Sequence, residues 1–184
     1  FWHTPFKIFV MILSQNKPYG GPSFTLQNRL ARLLWQFVWL VLFRPSPTPM
    51  HAWRCWLLRC FGAQIDASCH VYSSAKIWAP WNLTMGPKAC IGPYVICYSM
   101  AKITLGESVV VSQRCHLCTG SHDYKLPSFP LFAHPIVIDR LAWICADSFI
   151  GPGVHIGEGA VAAARSVVVK SIPSWAVFAG NPAR

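Results

Sequence analysis

From Ile138 onward every sixth residue is small or aliphatic: Ile138, Ile144, Ile150, Ile156, Ala162 and Val168. A period of six suits neither an amphipathic helix, which repeats near 3.6, nor an alternating strand, which repeats at two. It suits a coil with three short flat faces, each sending one side chain to a common axis. The same period recurs upstream at Ile65, Val71 and Ile77, at Met85, Ile91 and Cys97, and at Leu105, Val111 and Leu117. Successive upstream blocks stand eight residues apart instead of six, so two residues are added once per turn. Thirteen of these fifteen positions carry Ile, Val, Leu or Met, which is too regular for an ordinary sandwich with chance spacing. The pattern predicts an all-β solenoid, a parallel β-helix of hexapeptide repeats occupying residues 63–184.

The flanking positions agree. Two residues before the axial position the side chain is Ala, Cys, Ser or Val at twelve of fifteen places; Leu83, Ile103 and Ile136, each opening a coil, are the exceptions. Small side chains there suit a narrow triangular prism, in which each coil buries its neighbour's apolar face. Gly86, Gly92, Gly106, Gly151 and Gly157 directly follow an axial residue. Glycine at those points is expected to turn the corner at positive φ.

Residues 23–62 have another character. Leu33 to Phe43 is apolar apart from Gln36, with Arg29 and Arg32 before it and Arg44 after it. Eleven residues are too few to span a bilayer as a helix, which needs about twenty. Pro45, Pro47 and Pro49 end that helix, and a second short one carries Trp53, Trp56, Leu57 and Leu58. Two roles fit this region: a cap over the open end of the solenoid, or a peripheral membrane contact through residues 29–60, where Trp and Arg suit the headgroup boundary. Residues 1–22 form a leader without a cleavable-signal pattern, since Lys7 interrupts its apolar run, and they carry no assigned role. The formal charge of +10 asks for an anionic partner. No basic run interleaved with aromatics supports nucleic acid as that partner. Cys69, Cys97 and Cys115 fall on repeat positions, where they read as apolar fillers in a reducing compartment, the cytoplasm or the inner face of the membrane.

Chemistry is expected where the repeat is interrupted. The spacing from Leu117 to Ile138 is twenty-one residues, and the insert, a loop at 118–137, contains Gly120-Ser121-His122-Asp123-Tyr124. A loop thrown from a rigid scaffold is a usual seat of function. A histidine near its ordinary pKa can take a proton from a hydroxyl at neutral pH.

This loop, the segment from Pro135 to Ile156 and the ending Gly180-Asn181-Pro182-Ala183-Arg184 resemble the hexapeptide-repeat acyltransferases. The likeness runs from about Ser23 to Arg184 and is strongest to the acetyltransferases of colanic acid and related exopolysaccharide biosynthesis. The resemblance implies a left-handed β-helix, a homotrimer with active sites between neighbouring prisms, acetyl-CoA as co-substrate and no metal. It implies direct acetyl transfer to a hydroxyl of a saccharide or exopolysaccharide intermediate, with His122 as general base in a ternary complex. It places Trp143 along the cleft, Ala146 and Ala164 against the pantetheine arm, and Val169, Lys170 and Arg184 at the cofactor's nucleotide end. Arg165 joins them on charge grounds.

One departure matters. Sugar acetyltransferases carry an acceptor-binding asparagine on the second coil, where this chain has Gly92-Pro93-Tyr94. Acceptor recognition therefore falls to Tyr94, Tyr98, Asp123 and Tyr124. Two rival readings remain. One is a trimeric scaffold at a membrane surface that has lost its chemistry. The other is a metal enzyme similar to the γ-type carbonic anhydrases, for which His116, His122 and His134 are available.

Overall fold

The structure, a computed structural model, describes residues 23–184; the leader expected at 1–22 lies outside the described residues. Three parallel sheets form the sides of a prism. The first face stacks Gln64–Ile65, Leu83–Met85, Ile103–Leu105, Ile136–Ile138 and His155–Ile156. The second stacks His70–Val71, Cys90–Ile91, Val110–Val111, Trp143–Ile144, Val161–Ala162 and Val177–Phe178. The third stacks Lys76–Ile77, Ile96–Tyr98, His116–Cys118, Phe149–Ile150 and Val167–Val168. Axial residues sit in register from coil to coil: Ile65 beside Met85, Met85 beside Leu105, Leu105 beside Ile138 and Ile138 beside Ile156 on the first face. All fifteen axial side chains are buried, as are the fifteen positions two residues before them. The repeat also continues past Val168: Ile172 bridges Ile156, and Phe178 pairs with Ala162. The step from 168 to 172 is only four residues, which hides this last turn from a search at period six.

The glycine expectation is corrected. None of Gly86, Gly92, Gly106, Gly151 and Gly157 has positive φ. Two of them show the real constraint: a Cβ on Gly106 would lie 2.5 Å from the Arg140 amide nitrogen, and one on Gly157 2.5 Å from that of Ser174. They are glycines because the next coil passes there. The left-handed conformation sits two residues further on, at Lys88, Tyr94, Ser108, Arg114, Leu141, Asp147, Gly153, Gly159, Arg165 and Trp175. Along the strands most N–H groups donate toward the following coil, as from Gly86 to Leu105 or Cys90 to Val109, whereas Ile136, where the chain rejoins the solenoid, donates back to Lys102. The left-handed residues turn theirs backward, as from Ser108 to Pro87 and Arg165 to Ala146. The corner is therefore a backbone device that accepts many side chains.

That polarity leaves the carbonyls of the first coil aimed away from any neighbouring coil. The helical region meets them. Helix α1 (Leu26–Val38) is capped by Thr25, whose hydroxyl accepts from the Asn28 amide, and a five-residue π-helical turn, Trp39–Phe43, extends it. It begins seven residues before the apolar run at Leu33, because its inner face is built from Asn28, Arg32, Trp35 and Trp39 rather than from leucines. Helix α2 (His51–Cys60) follows the three prolines. Trp35 Nε1 donates to the Ile77 carbonyl at 2.6 Å and Trp39 Nε1 to that of Ala75 at 2.8 Å. Arg54 Nε donates to Val71 at 2.6 Å, and Arg59 Nε to Ile65 at 2.7 Å. Four side chains thus replace the N–H groups of a missing coil on all three faces, where unpaired carbonyls would be costly. Trp35, Phe43, Cys55, Leu57 and Leu58 close the apolar interior beneath them.

Candidate active site

The loop that interrupts the solenoid leaves the third face at Cys118 and rejoins the first at Ile136. Its base is pinned by Thr119, fully buried, whose hydroxyl donates to the Tyr98 carbonyl at 2.7 Å and accepts from the Ala101 amide. Gly120–His122 then pairs antiparallel with Leu131–Ala133, so the loop is a small hairpin. Asp123 closes its tip. Its carboxylate accepts from the Lys125 amide at 3.0 Å, while its own amide donates to Pro130.

His122 ends the first hairpin strand and is exposed. Its ring stacks on Phe129, 4.4 Å between centroids and 9° from parallel, and its Nδ1 lies 3.0 Å from the Phe129 carbonyl. A carbonyl only accepts, so this contact assigns the proton to Nδ1 and leaves the Nε2 lone pair of the neutral ring free. The same residue holds the ring's orientation and its tautomer. That arrangement is what a proton acceptor at Nε2 requires. Phe129, which holds the ring, was not among the residues singled out from the sequence. The work is done partly by a main-chain carbonyl, which any residue type supplies.

The remaining candidates fall into two columns on different edges of the prism. Tyr98, His122, Asp123, Tyr124, Val169 and Lys170 lie where the third face passes to the first. Tyr94, Ala146, Ala164 and Arg165 lie where the second passes to the third. Trp143 projects from the second face next to that edge, half exposed, with its indole N–H donating to the Ser112 hydroxyl at 2.9 Å. Ser112 thus holds the Trp143 indole, and the sequence did not single it out. On the edge below Arg165, Arg114 and Asp147 form a bidentate pair at 2.7 and 2.9 Å, which holds the Asp147 carboxyl below its ordinary range. The chain ending folds back, with Arg184 and Ala179 exchanging both backbone hydrogen bonds at 3.1 Å, so Arg184 is carried to the end of the second column. The third face separates the columns, and one prism does not bring them together.

Tyr98 also belongs to an aromatic row running through Phe24, Trp78, His116 and Phe149. With Ser23, Phe24, Arg29, Arg32 and Trp78 it lines a cavity of about 520 Å³ beneath α1. Burial pushes its hydroxyl pKa up from 10 and pushes that of His116 down from 6.5. Among the described residues no three His, Cys, Asp or Glu side chains converge on one point. His116 is enclosed by rings, and His134 packs beside Phe132.

No family model matches the chain. It is 44% identical over 156 residues to WcaF of Escherichia coli (strain K12), named for acetyl transfer in colanic acid biosynthesis, covering 85% of this chain and 86% of that one. The chain belongs to the hexapeptide-repeat acetyltransferases. Its fold is similar to those of two solved acetyltransferases. One is a maltose O-acetyltransferase from Clostridium difficile 630, with a TM-score of 0.76 and 26% identity over 87% of each chain. The other is VCA0836 of Vibrio cholerae, solved in complex with acetyl coenzyme A, with a TM-score of 0.77 and 26% identity, again over 87% of each. With this family the chain shares a left-handed parallel β-helix, against the right-handed rule for ordinary crossovers.

Proposed function

We propose that this acetyltransferase moves an acetyl group from acetyl-CoA to a hydroxyl of a saccharide, an intermediate of exopolysaccharide synthesis, with His122 as the general base. One observation carries the reading: the Phe129 carbonyl faces Nδ1 of an exposed ring, which puts the proton there and leaves Nε2 to accept one. Acetyl-CoA, when bound, supplies an activated thioester carbonyl and a thiolate leaving group. His122 takes the acceptor hydroxyl proton at Nε2 as the new C–O bond forms and the C–S bond breaks, and the proton then passes to the departing thiolate. Ala146 and Ala164 leave room along the second edge for a pantetheine arm. Lys170, Arg165 and Arg184, all exposed, offer charge-assisted donors to its phosphates. Trp143, fixed by Ser112, forms a wall, and Tyr94, Tyr98, Asp123 and Tyr124 bind the acceptor.

The split between the two edges supports a homotrimer, in which one prism's His122 edge faces the neighbour's Trp143 edge. All eight cysteines are free thiols, which supports a cytoplasmic setting where CoA thioesters are available.

The test is acetyl-CoA-dependent free-thiol release with and without a panel of sugar acceptors. His122→Ala should cut acceptor-dependent release by about 10²–10⁴-fold. Release that survives the substitution removes His122 as the base.

A further inference from the structure

Helix α1 is amphipathic in the reverse of the usual sense. Its inner face is Asn28, Arg32, Trp35 and Trp39, whereas Leu26, Leu30, Leu33, Leu34, Phe37, Leu40 and Val41 are 50–67% exposed. At about 100° per residue these seven side chains share one arc of roughly 120°, pointing away from the solenoid. The stripe continues beyond them. Leu42 is exposed, its carbonyl accepts from Trp53 Nε1 at 3.1 Å, and Trp53 stacks on exposed Trp56 with centroids 5.1 Å apart. A contiguous apolar surface of this kind marks a docking face. Capping the solenoid does not require it, because the cap uses the opposite side of the same helix.

The charge around the stripe selects the occupant. Residues 23–65 contain five arginines and no aspartate or glutamate. Arg29 borders the stripe and Arg44 ends it, both exposed. Two copies of this face would set arginine against arginine in a chain of formal charge +10. An anionic surface would complement it. No helix among the described residues is long and apolar enough to cross a membrane.

We propose that α1 and its π-helical extension lie in the plane of an anionic membrane surface. The leucine–phenylalanine stripe enters the headgroup boundary, and Arg29 and Arg44 meet lipid phosphates. An interfacial helix draws its binding from buried apolar area plus attraction to anionic lipid, and each basic residue near such a surface adds measurably. The helix that seals the solenoid on one side is thereby its membrane foot on the other.

The experiment is co-sedimentation of the full chain with vesicles of phosphatidylcholine alone or mixed with phosphatidylglycerol, without acetyl-CoA, so that it is independent of the catalytic reading. The wild type should pellet with the mixed vesicles and release as salt is raised. Leu33→Glu with Phe37→Glu, and separately Arg29→Gln with Arg44→Gln, should each lower binding by about tenfold or more. The first pair should keep the wild-type sedimentation coefficient. Equal pelleting of both pairs and wild type, or no preference for phosphatidylglycerol, overturns the proposal. A smaller assembly in Leu33→Glu/Phe37→Glu also overturns it and gives the stripe to a second copy of the chain.

Discussion

The solenoid and its helical cap solve one problem by opposite means. Within the solenoid most strand carbonyls are met by backbone N–H groups of the preceding coil, so the side chains need only be the right size for an axis or a corner. At the first coil there is no preceding backbone, and Trp35, Trp39, Arg54 and Arg59 supply the donors individually. The first solution is tolerant and repetitive. The second depends on particular side chains. Arg54 is the extreme case: fully buried, it also donates to the Ser46 hydroxyl and to the Pro47 carbonyl, both at 2.8 Å, and to Thr48. It ties the proline-rich linker to the first coil.

The comparison can be broken at either end. Arg54→Leu should cost the most, about 3–5 kcal/mol, because the buried Val71 carbonyl and three part-buried acceptors of the linker lose their donor together. Amide exchange should rise in α2 and at residues 45–50 while Leu105 and Ile138 stay protected. If protection falls equally through the coils, cap and solenoid are one cooperative unit and the contrast is wrong. Gly106→Ala tests the other side and should cost about 2–3 kcal/mol, since its Cβ meets backbone that cannot step aside. Thermal unfolding of the whole chain should register it, with no selective loosening of α2.

The smallest effect concerns acid. Burial lowers the pKa of His51 in the cap and of His116 on the third face from 6.5. The unfolded chain then binds the proton more readily, so stability is held above the ordinary pKa and lost as pH falls through and below it. His116→Phe, which keeps an aromatic ring between Tyr98 and Phe149, should flatten the fall in Tm between about pH 7 and pH 5. An unchanged slope would place the acid-sensitive step elsewhere, with His51 next in line.

The same contrast explains what the sequence disclosed. The period-six rule identified the axial and corner positions because their requirement is volume, which is written in residue type. It lost Ile172 and Phe178 because the last turn is shortened. It misread the glycines because a glycine records that a Cβ is excluded, not whether φ or a neighbouring coil excludes it. The start of α1 was obscured since Asn28 and Arg32, which read as surface residues, face inward. His122 stood out by its place in an interrupted repeat. Phe129 and Ser112, which orient His122 and Trp143, did not, because neither a carbonyl nor a serine hydroxyl leaves a distinctive spacing.

The first three coils follow one another at an unvarying twenty residues, from Ile65 to Met85 to Leu105, with the same register on each face. Length along the axis is therefore counted out in whole steps of about 4.8 Å. The loop bearing His122 leaves the third coil, two steps above the one that the helices seal. The prism is in this sense a ruler: removing or repeating a twenty-residue step would move the histidine toward or away from the cap by a fixed amount, leaving both ends chemically unchanged.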